Sequence, residues 1–146
     1  MKKLLLMSIM LMVSIVMLSQ KQKGQINTIS IAALTTNYVD GKAEQEFSWL
    51  TENKAANSSI IMDMDNDIVT IKGDMRTTIN ILSKVSMKNK KDTYGNDTYV
   101  FTLNATNEEE IRCELTMRVW LKSNAFQIFV KYNDVLIVYE GFFITK

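Results

Sequence analysis

The sequence predicts a single antiparallel all-β domain of about eight or nine short strands, an up-and-down or half-closed barrel, with a β-sandwich as the alternative. Three observations carry that expectation. Apolar and polar residues alternate with a period of two from Ile111 to Leu121, the mark of a strand with one buried and one wet face. The polar links between apolar segments are nearly all short enough for hairpins, which leaves little room for crossovers. No amphipathic helical period of useful length follows Leu18.

The chain opens with Lys2 and Lys3, then an uncharged run from Leu4 to Leu18 broken only by Ser8 and Ser14, then a polar exit at Ser19-Gln20-Lys21. These are the parts of a secretory signal peptide, and the run is shorter than the roughly 20 residues of a membrane-spanning helix. Cleavage is expected between Ser19 and Gly24, so residues 1–24 form the signal segment, expected to be helical, and residues 25–146 the all-β domain. No cysteine stands near the end of the apolar run to take a lipid. The product is therefore expected to be exported and soluble, periplasmic or extracellular, with no stable membrane span.

The net charge of +1 becomes −1 once Lys2 and Lys3 are removed, and −3 once Lys21 and Lys23 go too. A nucleic-acid binder would carry a basic excess. Cys113 is the one cysteine, so no internal disulfide can form. The chain has no histidine, which removes the commonest general base and the commonest zinc ligand; neither cofactor nor metal is expected. With no proline either, turns fall to Gly, Asn and Asp.

In chain order, Ile26–Leu34 and Ala43–Leu50 read as the first strands, joined through Asp40-Gly41. Ser59–Met64, Ile68–Lys72 and Arg76–Val85 follow, separated by Asp65-Asn66-Asp67 and Gly73-Asp74. Tyr99, Phe101, Leu103 and Ala105 alternate with polar neighbours, and Cys113 takes a core position in the Ile111–Leu121 strand. After Ser123-Asn124 come Phe126, Ile128, Val130 and Tyr132, then Val135–Tyr139, and beyond Gly141 a last segment, Phe142–Ile144. Thr51–Ser58 and Met87–Asp97 are the longer polar links, the second being the expected mobile loop.

Several landmarks occur in a set order: Trp49, Ile60-Ile61-Met62-Asp63, Ile68 to Ile71, Ile79-Asn80-Ile81, Asp92 to Gly95, Tyr99 to Phe101, Cys113, Tyr132 and Tyr139. In this order the chain resembles a group of small exported bacterial proteins with no assigned function. The resemblance spans about residues 47–140 and implies an exported all-β domain, with no catalytic residue to carry over.

Candidate binding residues are aromatic. Trp120 falls on the polar face of its strand with Arg118 and Lys122, and Phe129 on the next strand would complete an exposed patch if it paired across from it. Trp49 and Tyr94 are further candidates, Trp49 being expected as core or barrel plug; such rings suit sugars or a small apolar ligand. Lys88, Lys90 and Lys91 form a basic loop able to meet acidic groups, or simply to discourage edge pairing. Asp63, Asp65, Asp67 and Asp74 have some of the spacing of a calcium loop, but Ile68 occupies the place of its obligatory glycine. A hairpin closed by Asx hydrogen bonds is the expectation there.

The function that follows is an exported, non-enzymatic binding or interaction module whose partner is a small apolar ligand, a glycan or a protein surface. A carboxylate-based glycan-acting enzyme is the alternative, with Asp63, Glu114 and Glu140 as imaginable acids. A structural subunit assembling through strand edges is the third.

Overall fold

The computed structural model describes residues 21–63, 65–73 and 76–144; nearly all of the predicted signal segment, and Asp74 of the acidic cluster, lie outside the described residues. The described residues form eight strands and no helix: β1 (Lys21–Val39), β2 (Lys42–Asp63), β3 (Ile68–Lys72), β4 (Thr77–Lys91), β5 (Asp97–Asn107), β6 (Arg112–Trp120), β7 (Ala125–Lys131) and β8 (Val135–Phe143). Each is antiparallel to the next in the chain, and β8 returns to pair with β1, so one sheet closes on itself as a ring.

The alternation read from the sequence decides what faces inward. Cys113, Leu115, Met117 and Val119 of β6 join Phe101, Leu103 and Ala105 of β5 and Phe126, Ile128 and Val130 of β7 in one continuous buried cluster. Ile26, Ile60, Ile71, Ile79 and Tyr139 complete it from the other strands. Eight strands make a ring just wide enough for side chains to fill, and here they do. Burial raises the Cys113 thiol above its ordinary range and pushes the Tyr139 phenol up to about 12. Cys113 is thus a core residue, and its raised pKa is the opposite of what a reactive thiol needs.

The strands are longer than expected, in three places. Thr51–Ser58, expected as a link, is a paired part of β2; register shifts opposite Ile26–Ala32 and a positive φ of 46° at Asn53 carry the ladder through it. Met87–Asp97 is mostly strand as well, with β4 running on to Lys91 and only residues 92–96 turning. Lys88, Lys90 and Lys91 therefore stand on a strand, not in a loop. Finally, Val135–Phe143 is continuous through Gly141. In the first two cases polarity signalled exposure, and exposure does not interrupt backbone pairing; in the third, buried Gly141 stays paired with Ile26 and Phe126.

Two ribbons outrun the ring. β1 pairs with β8 only as far as Ala33, and beyond it the β1–β2 hairpin continues with every residue from Thr35 to Leu50 exposed. Its tip has positive φ at both Asp40 (51°) and Gly41 (76°), the tight hairpin turn expected of Asp-Gly. β4 pairs with β3 only as far as Asn80, and after one further bond, from Ile81 N–H to the Asp67 carbonyl, its ladder partner is β5. Antiparallel order puts the links after β2, β4 and β6 at one end, together with the start of β1 and the finish of β8.

Candidate functional site

At that end, on the outer wall, lies a cleft of about 540 Å³. Its walls come from one cross-strand row: Trp120 on β6 pairs with Ala125 on β7, and Ala125 pairs with Phe142 on β8. Residues paired across strands share a face, so two aromatic rings stand on either side of a single methyl group. With adjacent strands about 4.8 Å apart, the two ring-bearing strands are separated by roughly 9.6 Å. Phe142 is 50% exposed, large and apolar on an outer face. The next row along the wall holds Arg118, Gln127, Glu140 and Thr28.

The Asp92–Asn96 turn closes over one side, and Asp92 holds it there. One carboxylate oxygen (Oδ1) accepts the backbone N–H of Tyr94 at 2.9 Å and of Asn96 at 2.8 Å. The other (Oδ2) accepts the Asn96 amide and the Trp120 indole N–H, each at 3.0 Å. Donation from the Asn96 side chain first, then from Trp120 and the backbone, outweighs desolvation and holds the carboxyl down at about 2. Trp120 is fixed from a second side as well, for the Arg118 guanidinium lies 5.9 Å from its ring centroid. Across the cleft, Gln127 donates to Glu140 at 2.9 Å.

This latch has a pH signature. A carboxyl lowered from 3.8 to about 2 in the folded protein contributes stability above the unfolded value and loses it as the pH falls toward the folded one. The Trp120 indole N–H resonance is expected to stay constant down to about pH 3 and to move as the pH passes through about 2, where the folded carboxyl takes up its proton. Movement centred near the ordinary 3.8 would show that the indole and its neighbours do not hold the carboxylate.

The predicted aromatic residues do not gather. Trp120 is in the cleft, but Phe129 pairs with Thr116, two rows away from it, because alternation predicts a residue's face and not its register. Trp49 is no core plug: it is 40% exposed on the β1–β2 ribbon, edge-on to Phe47 with ring centroids 5.6 Å apart. Tyr94 is 89% exposed at the tip of the Asp92 turn and contributes its backbone N–H. Of the basic residues, Lys91 pairs with Asp97 at 3.1 Å, while Lys88 and Lys90 lie along β4 opposite Val100 and Thr98.

The imagined acids are dispersed over three clefts. Glu140 borders the Trp120 cleft, Asp63 a second with Lys21 and Lys72, and Glu114 a third with Arg112 and Lys131. Asp63 closes the β2–β3 hairpin by accepting from the backbone and side chain of Asn66, as the Asx reading expected. No three groups converge to hold a metal among the described residues. Asp92, Asn96 and Phe142 are not among the candidate site residues that the sequence offers. Phe142 was legible only if β8 ran through Gly141 with its alternation unbroken.

No family model, curated protein or solved structure matches this chain.

Proposed function

We propose that this protein is an exported, non-enzymatic binding module: an up-and-down barrel with a filled interior that holds a ring-bearing ligand on its outer wall, between Trp120 and Phe142. The observation that carries this reading is the Trp120–Ala125–Phe142 row, in which a small floor separates two aromatic walls and a turn is latched to one of them. A preformed apolar cleft with a few fixed polar groups is the usual form of a ligand site. The interior offers no equivalent, being occupied by the core cluster.

The cleft does hold two carboxylates, Asp92 and Glu140, which raises the enzymatic alternative. Glycoside hydrolysis needs a general acid with a raised pKa, whereas that of Asp92 is lowered to about 2. Its four accepted hydrogen bonds also occupy the roughly four lone-pair sites of a carboxylate. Asp92 therefore serves structure, and Glu140 has no second acid to work with. Assembly through strand edges has one observation in its favour, the ribbon edge carrying exposed Tyr38, Phe47 and Leu50. The charges beside them, Lys42, Glu44 and Glu46, discourage such pairing.

Export rests on the Lys2-Lys3 start and the apolar run to Leu18. Cleavage close to Ser19 suits the fold best, because Lys21–Gly24 pair with Ile60–Asp63 in β1 and β2. The test is a screen of ring-bearing fragments by protein NMR, on material secreted by its own cells and weighed intact. We expect a mass starting between Gln20 and Gln25, and hits that shift the Trp120 indole and the Ala125 methyl. Retention of residues 1–19 would remove the export reading. Hits confined to interior methyls such as Leu115 and Ile128 would move the ligand inside the barrel.

A further inference from the structure

We infer that the ligand of this slot is a neutral saccharide; the inference rests on the Trp120–Phe142 cleft being the binding site. Charge comes first. The residues lining the cleft include two carboxylates and no lysine or arginine, and Asp92 stays ionised throughout the neutral range. An anionic ring, whether nucleotide, uronic acid or phosphorylated sugar, would meet two carboxylates in the lining, while Arg118 of the next row is already engaged on the Trp120 ring.

A cationic ligand finds two carboxylates, but its best seat is compromised. Ammonium groups bind over the face of a tryptophan, and Arg118 already stands 5.9 Å from the Trp120 centroid. A second cation across the same ring would share one quadrupole with a guanidinium and repel it. Asp92, with all four acceptor positions engaged, can add little to offset that.

What remains is an uncharged ring, and the polar groups indicate which kind. Asn27, Thr28, Asn96 and Ser123 lie around the cleft, and amides and hydroxyls both donate and accept. A planar aromatic ligand would use the two walls but leave most of these groups without partners. A pyranose uses both sets: its C–H faces lie against Trp120 and Phe142, and its hydroxyls point to the rim. The latch on Trp120 fixes one wall before the ligand arrives, which lowers the ordering cost of binding.

The experiment titrates the secreted protein, carrying Trp49→Phe so that Trp120 is its one tryptophan, with neutral oligosaccharides of the gluco, manno and N-acetylglucosamine series. Oligogalacturonate serves as the anionic probe, glucosamine oligomers as the cationic one, and indole as the planar aromatic. Fluorescence and the indole N–H resonance report binding where Trp120 is present, and the Ala125 methyl resonance reports it in the Trp120 variants, which carry no tryptophan. We expect at least one neutral series to bind and both charged probes to fail. Trp120→Ala and Phe142→Ala should each weaken binding about tenfold or more, the equivalent of about 1.4 kcal/mol. Trp120→Phe, which keeps a ring but loses the bond to Asp92, should recover part of it and controls for folding. Binding of a charged probe or of indole at Trp120, with every neutral series silent, overturns the saccharide and leaves the slot standing. Silence from all of them at Trp120 overturns both.

Discussion

Gly141→Val is expected to leave the protein unable to close its ring. Gly141 sits where β8 meets β1, paired with Ile26 on one side and Phe126 on the other. A Cβ built there would overlap the backbone carbonyl oxygen of Gln25 and come within 3.0 Å of the Ile26 Cα. The obstacle is main chain, so no change of rotamer relieves it; β1 itself would have to move. That strand carries the ladder to β8 and the ladder to β2 together. Opening the seam exposes the core cluster and leaves two unpaired strand edges. The expected result is a collapsed or aggregated chain with no cooperative thermal transition and strong binding of an apolar dye. Gly95→Ala makes the contrast: nothing lies within 4 Å of a Cβ at that position, and only its positive φ of 83° is strained, at a cost of about 1 kcal/mol. A Gly141→Val protein that melted cooperatively within a few degrees of wild type would show that the β1–β8 seam is not what encloses the core.

Phe126→Ala is expected to cost about 3–5 kcal/mol, a large share of the roughly 5–15 kcal/mol that holds a domain of this size together. The ring is 2% exposed and packs at a tilt on Phe143, with centroids 5.0 Å apart. Gly24 makes room for it: a Cβ at Gly24 would lie 2.7 Å from the Phe126 ring. The truncated side chain leaves a void between strands held by the closed ladder, and a closed sheet cannot easily collapse onto it. With a urea m-value of about 2 kcal/mol/M, the denaturation midpoint should fall by about 2 M. A shift equivalent to under 1 kcal/mol would mean that the neighbouring strands relax into the gap. Phe126 also borders the Trp120–Phe142 cleft, so the variant should loosen the cleft along with the core.

Much of the fold was legible because its strands are half-buried. Leu115 and Ile128 alternate with Thr116 and Phe129 in the sequence and alternate inward and outward in the ring. The hairpin tips at Asp40-Gly41 and Asp63–Asp67 were legible from residues that tolerate left-handed backbone or close an Asx turn. Strand length was not. Thr51–Ser58 and Lys88–Lys91 are polar since they lie on ribbons that outrun the core, and composition cannot separate a paired, exposed strand from a loop. Register was not legible either, and the site depends on it. Trp120 stood out as an aromatic on a wet face, yet the sequence offered Phe129 as its companion when the register supplies Phe142. Asp92 looked like one more charge in a polar stretch; only the fold carries it to the indole.

The outer part of the β1–β2 ribbon adds no buried side chain to the core. Every residue from Thr35 to Leu50 is exposed and none belongs to the core cluster, so this stretch can fray and re-form while the core stays intact. That frees a stretch of exposed backbone to lengthen, shorten or change its side chains at little cost to global stability. The closed ring constrains its own wall and leaves this projection free to vary.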